Sequence, residues 1–208
     1  MWRTRCSTRI YNERHASPAF AGPLRRGKRE AQYDDFLLFP EDGQRHELID
    51  GEHYVTPSLN IRHQRISKRL VPIDNWLQEH PLGEVFYAPL DVRFSMFDVV
   101  EPDLLYVSNE RAATLLAGEH VMGSPDLIIE IGSPGTRQRA ETIKRRLYER
   151  SNVLEHWVVD PDIDVIRVYT RHGDRFDRPI EVSREAGDVL TTQLLPGLEI
   201  PLPHVLKD

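Results

Sequence analysis

The sequence predicts an α/β fold, and three observations carry that prediction. First, short apolar runs at residues 104–107, 126–131 and 156–159 have strand length and are bounded by Pro-Asp pairs or acids. Second, residues 135–150 lie between two of these runs with helical spacing, which gives sheet, crossover helix, sheet. Third, Asp50-Gly51 joins two β-like segments, the strongest short-range signal for a hairpin. At 208 residues the chain has room for one ordinary domain with a tail.

The elements follow in order. Residues 33–39 read as a short helix stopped by Pro40, and Glu41-Asp42-Gly43 is turn chemistry. The hairpin occupies residues 46–55. Residues 62–80 read as a helix with the stripe Ile66, Leu70, Ile73 and Leu77, kinked or broken at Pro72. Strands are expected at 84–88, 91–94 and 104–107, then a small helix at 110–117. Residues 126–131 form the most apolar strand, expected at the centre of the sheet. The helix at 135–150 ends where Asn152 can take a left-handed conformation. Strands at 156–159 and 165–170 follow, and residues 180–205 give short β segments.

Composition narrows the function. With 39% hydrophobic and 29% charged residues the chain is not disordered throughout. Its single cysteine, Cys6, excludes an internal disulfide and a thiolate metal cage, and fits a reducing cytoplasm. The net charge of −6 is unevenly spread: residues 1–30 hold eight Lys and Arg against Glu13 and Glu30, a net +6, leaving −12 for the rest. Residues 1–31 read as a disordered basic leader, with a targeting peptide or a nucleic-acid-binding arm as the other readings, ahead of a domain spanning 32–208. An acidic body repels nucleic acid unless its charge is local or neutralised by metal.

Acids on strands are the residues that can carry chemistry. Asp103 opens one strand and Glu130 closes another, and a carboxylate on a buried apolar strand must be paired, hydrogen-bonded or metal-bound. Asp126 and Glu130 share a face but stand about 13 Å apart at ~3.3 Å per residue, too far for one ion. Asp162 belongs to a Pro-Asp turn. Asp103 sits on a separate strand that can lie beside Glu130, placing two carboxylates as a hard divalent cation requires. Two residues past Glu130 stands Gly132, so the next lysine is Lys144 on the following helix, one turn before Tyr148. Spacing alone makes Lys144 a solvated residue, with Ile143 and Leu147 as the core side.

Five segments together resemble a known family. They are Glu47-Leu48-Ile49-Asp50-Gly51-Glu52, Pro102-Asp103-Leu104, the run from Pro125 through Glu130 to Pro134, Lys144 with Tyr148, and the run from Glu155 to Pro161. In this order and spacing they are similar to the Uma-two family of bacterial restriction-endonuclease-like proteins, of the PD-(D/E)XK nuclease superfamily, over roughly residues 32 to 203. The resemblance implies a restriction-endonuclease-like core, a mixed sheet flanked by helices. It implies Asp103 and Glu130 as metal-binding acids, Lys144 as a lysine moved from strand to helix, and Glu47 as the hairpin acid that completes the site. Ala140 stands where the family usually has Asp, His46 and His156 where it usually has an aromatic, and Asn152 where Gly is common.

The activity so implied is hydrolysis of DNA phosphodiesters with Mg²⁺ or Mn²⁺ held by Asp103, Glu130 and the Ile131 carbonyl. Lys144 would position a water or stabilise the transition state. Arg137, Arg139, Arg145 and Arg146, on the helix beside that site, are the candidates for phosphate contacts. Arg62, Arg65, Lys68 and Arg69 form a second basic cluster that reads as a solvated face. Homodimers are a habit of the superfamily. The alternative is a catalytically inactive nucleic-acid-binding or regulatory module on the same fold. A hydrolase with a His-based metal site finds no support, because His46, His53 and His63 lack tight ligand spacing.

Overall fold

The computed structural model describes residues 30–56, 60–133 and 139–207. The basic leader through residue 29, and Arg137 of the proposed phosphate contacts, lie outside the described residues. No helix among the described residues is long and apolar enough to cross a membrane.

Two sheets pack on each other. The first carries β1 (Arg45–Ile49), β2 (Glu52–Thr56), β4 (Val92–Arg93), β5 (Val99–Val100) and β7 (Val121–Met122), in the order β2-β1-β5-β4-β7. The second is built on β3 (Gly83–Tyr87), β6 (Leu104–Ser108), β8 (Leu127–Ile131), β9 (Glu155–Asp160), β10 (Val165–His172) and β11 (Arg175–Phe176). Its order is β11-β10-β9-β8-β6-β3, with β12 (Ile180–Ser183) also paired to β10. β13 (Val189–Leu190) and β14 (Ile200–Pro201) form a small ribbon. Both sheets mix parallel and antiparallel pairs, as β4–β7 and β8–β9 are parallel.

The local reasons for these elements are readable. The hairpin turns through Asp50 (φ 53°) and Gly51 (φ 69°), the two positive φ values of a type I′ turn. Gly51 is fixed twice over, since a Cβ there would stand 2.6 Å from the Cβ of Glu30. Pro72 breaks the expected 62–80 helix into α2 (Ile61–Arg69) and α3 (Pro72–Glu79), with the proline in the first turn of the second, where its missing N–H is harmless. Asn60 caps α2 by accepting from the His63 N–H. Asn152 takes φ 64°, the left-handed conformation anticipated for it.

Several boundaries depart from the sequence reading. The first helix, α1, ends at Phe36, and the small helix α4 runs Asn109–Leu115. Strands β5 and β7, each a single dipeptide, are too short to leave a period. Residues 202–205, expected among β segments, form the helix α6 (Leu202–Val205). Among the described residues the crossover helix takes π form over Ala140–Lys144 and becomes α5 over Arg145–Arg150.

β8 and β9 are buried along their whole lengths, as central strands must be. Their alternation divides the core. Leu127, Ile129, Ile131, Leu104 and Tyr106 pack with α2, α3 and α6 on one face. Ile128, Leu105 and Val107 pack on the other with Leu147 and Tyr148 of α5 and with Ile49 of the first sheet. Glu130 shares the parity of Ile128, and Asp103 that of Leu105, so both carboxylates face the second cluster, between the sheets.

Candidate active site

β6 and β8 are antiparallel with Leu104 opposite Ile129, so the register carried one step further sets Asp103 opposite Glu130. Both are buried, at 4% and 6% exposure. β1 supplies Glu47 from the facing sheet, 1% exposed. α5 is held by Leu147 and Tyr148, and this seats the preceding Lys144 with its ammonium among the acids.

Lys144 Nζ lies 2.6 Å from Glu47 Oε1, 2.8 Å from Glu130 Oε1 and 3.0 Å from Glu130 Oε2. One ammonium thus spends its three donors on two carboxylates from different sheets. The Tyr148 hydroxyl donates to Glu130 Oε1 at 2.5 Å, and the Glu101 N–H to Glu47 Oε1 at 3.1 Å. Asp103 is tied from three elements. Its Oδ1 accepts from Arg45 Nη1 of β1 at 2.6 Å; its Oδ2 accepts from the Ile131 N–H of β8 at 2.7 Å and from His63 Nε2 of α2 at 2.9 Å. Arg45 Nε also meets Glu101 Oε1 at 2.5 Å.

The electrostatics follow from burial and from an excess of acid. Among the described residues Glu47, Glu101, Asp103 and Glu130 meet three permanent cations at ion-pair distance, Lys144, Arg45 and, 3.9 Å from Glu47 Oε2, Arg139 Nη1, with the His63 imidazole at Asp103. Burial pushes the Glu130 carboxyl up to about 7, and the charges of Asp103 and Glu47 add to that, against the pull of Lys144. Burial alone would lower Lys144, but Glu130 and Glu47 outweigh it and hold the ammonium well above its ordinary value. Burial would raise Asp103; the His63 hydrogen bond and charge, then Arg45 and the Ile131 N–H, hold it below the usual carboxylate range. Tyr148 is raised, first by burial and then by the charge of Glu130, so its hydroxyl stays a donor.

The donor set suits a hard divalent cation. Oxygen ligands on a net anionic cluster are what Mg²⁺ and Mn²⁺ take. Among the described residues Glu47 Oε2 is buried with no hydrogen-bond partner, and Asp103 Oδ1 and Glu130 Oε2 each accept one hydrogen bond, leaving a lone pair. As the side chains stand, no three acid, His or Cys groups among the described residues are close enough to enclose an ion. Lys144 fills the space between two of the acids.

The four acids and bases singled out from the sequence, Glu47, Asp103, Glu130 and Lys144, therefore come together, and Ile131 adjoins them through its N–H. The arginines behave differently from one another. Arg139 sits over the Tyr54 ring at 4.9 Å and donates to Thr56 Oγ1. Arg145 is bound by Glu149 at 3.5 Å and lies 5.8 Å over Tyr169. Arg146 is exposed. In the second basic cluster Arg62 pairs with Asp164, and Arg69 donates to the Val205 and Lys207 carbonyls. Arg45, His63 and Glu101 were not among the sequence candidates for this site. Arg45 had a signal, since it is two residues from Glu47 and shares its face of β1. His63 had none, because its partner is 40 residues away.

A family profile described as "Uma2: Putative restriction endonuclease" matches residues 33–203. Among solved structures, a "putative nuclease belonging to DUF820" from Anabaena variabilis is 20% identical and covers 84% of this chain and 97% of its own, with a TM-score of 0.71. The type IIG restriction endonuclease BpuSI is 15% identical over 63% of this chain and 15% of its own, with a TM-score of 0.36. No curated protein matches the chain.

Proposed function

The chain belongs to the Uma2 restriction-endonuclease family, and from that premise we propose that it is a divalent-metal-dependent endonuclease hydrolysing DNA phosphodiester bonds. The observation that carries the reading is the buried acid cluster with one lysine at its centre, on the sheet face shared by Asp103 and Glu130. Asp103, Glu130 and the Ile131 carbonyl would hold Mg²⁺ or Mn²⁺, and Glu47 would hold a second ion or its water. When bound, such an ion supplies an activated water and charge stabilisation at the phosphate.

The chain's own residues do the rest. Lys144 keeps its protons at Nζ, and one of the donors now spent on Glu47 and Glu130 would turn to the attacking water or to the phosphate oxygens as charge builds. Tyr148 holds Glu130 by its Oε1, while Oε2 accepts from Lys144. Arg45 from β1 and His63 from α2 hold the two oxygens of the Asp103 carboxylate. Arg137, Arg139, Arg145 and Arg146 would bind backbone phosphates; for Arg139 the reading is supported by its position over the Tyr54 ring and 3.9 Å from Glu47.

A second reading, a nucleic-acid-binding module without catalysis, rests on Lys144 closing two of the acids to an ion. One experiment separates the two. Supercoiled plasmid is incubated with the wild-type chain in Mg²⁺ or Mn²⁺, with EDTA, and with Glu130→Ala. Metal-dependent nicking that EDTA and the substitution abolish supports the nuclease; equal nicking by both proteins refutes the site, and DNA binding without nicking selects the module.

A further inference from the structure

We propose that His63 is a positioning residue for Asp103: its Nε2–H fixes the direction in which that carboxylate offers its remaining lone pair to a metal ion. The proposal rests on the metal-nuclease reading and adds a residue to it.

The geometry starts with the lone pairs. Oδ2 of Asp103 accepts two hydrogen bonds, from the Ile131 N–H at 2.7 Å and from His63 Nε2 at 2.9 Å, which fills it. Among the described residues Oδ1 accepts one, from Arg45. The carboxylate plane is thereby set by donors on α2, β1 and β8, and its open capacity is confined to Oδ1. A carboxylate oxygen that already takes a backbone N–H can only accept, so the His63 proton must be on Nε2.

The rest of the imidazole argues against a purely structural role. His63 is 3% exposed, and its Nδ1 is buried without a hydrogen-bond partner among the described residues. An unpaired buried polar atom costs about 1–3 kcal/mol. An apolar side chain would avoid that cost beside Ile66, which is fully buried on the same helix. The imidazole therefore serves its one bond, to Asp103. The other side-chain donor is a weaker constraint: Arg45 divides its guanidinium between Asp103 and Glu101 and is 17% exposed. Groups that orient metal-ligating carboxylates and imidazoles change metal affinity about 10–100-fold when removed.

The test compares two amides of equal chemistry and different reach in the full chain. The Gln side-chain nitrogen overlays the Nε2 position of His; the Asn nitrogen falls at Nδ1, short of Asp103. Mn²⁺ alone is titrated and free ion is read by electron paramagnetic resonance, with near-ultraviolet circular dichroism as the check on folding. His63→Asn is expected to weaken Mn²⁺ binding about 10–100-fold, while His63→Gln stays close to wild type. Equal affinity in both variants, whether retained or lost, overturns the positioning role. A wild-type chain that binds no Mn²⁺ overturns the metal-nuclease reading itself, a separate result. Should His63→Asn fail to fold, ¹⁵N spectra of the wild-type imidazole decide: the Nε2–H tautomer with a ring signal that moves on adding Mg²⁺ supports the proposal, and an Nδ1–H tautomer or an unmoved signal refutes it.

Discussion

Replacing His156 by Phe is expected to stabilise the protein, and by more in acid than at neutral pH. His156 is fully buried on β9, with both ring nitrogens unpartnered among the described residues, inside a cage of Tyr148, Tyr169 and Phe176 whose centroids lie 4.9, 5.8 and 6.3 Å away. Burial, with the charges of Lys144 and Arg145 adding to it, drives the imidazole from 6.5 down to about 3. The folded value lies below the unfolded one, so the unfolded chain takes up the proton first. The stability present above pH 6.5 is then lost as pH falls toward 3, by about 1.4 kcal/mol per pH unit. At pH 5 the loss is about 2 kcal/mol. A phenyl ring removes that titration and the unpaired nitrogens, which cost about 1–3 kcal/mol, offset in part by its larger volume. Urea unfolding of both proteins at pH 8, 7, 6 and 5 measures the difference. The expected gain is about 1 kcal/mol at pH 8, growing to about 3 kcal/mol at pH 5. Titration of Glu130, also in this range, is common to both proteins and cancels in the difference. A gain that does not change with pH refutes the reasoning, because the ring nitrogens would then be solvated.

Two further outcomes follow from the site. Lys144→Met leaves Glu47 and Glu130 buried without their cation and is expected to destabilise by about 3–5 kcal/mol; the double variant with Glu130→Gln should lose at least about 1 kcal/mol less than the sum of the single losses, and additive losses in urea unfolding would show that the pair is not coupled. In DNA binding measured against salt, Arg146→Ala is expected to reduce the logarithmic slope by about 0.9, and Arg145→Ala by less because Glu149 and Tyr169 already hold that guanidinium; equal slopes would refute this ranking.

The sequence made the sheet legible where periods are strong and where turn chemistry is local. Asp50-Gly51, Pro72 and Asn152 each act through their own backbone, and each does in the structure what its chemistry requires. The two-residue strands β5 and β7 are set by pairing across the sheet, which no local window contains. The site divides in the same way. Asp103 and Glu130 could be paired from strand parity, and Glu47 and Lys144 came with the resemblance. Spacing on its own made Lys144 a solvated lysine, because helical periodicity does not register acids arriving from two other elements. His63 and Arg45 reach Asp103 across 40 and 58 residues, and Arg45 alone left a trace, in its alternation with Glu47.

The energetics bear on which reading of the site is right. Glu47 belongs to one sheet, Asp103 and Glu130 to the other, and Lys144 bridges them, so the cluster also fastens the two layers together. A fastening needs no charge: buried ion pairs replaced by apolar side chains of similar volume are often neutral or more stable by about 1–4 kcal/mol. Here the pairing is also unbalanced. Among the described residues four acids face three permanent cations, Lys144, Arg45 and Arg139; Glu130 is raised to about 7, and Glu47 Oε2 has no hydrogen bond. A cluster shaped for stability would be neutral and fully bonded. Uncompensated carboxylate charge held rigidly in a dry interior is what a divalent cation would neutralise, and that imbalance argues for the metal-dependent nuclease over a binding module on the same fold.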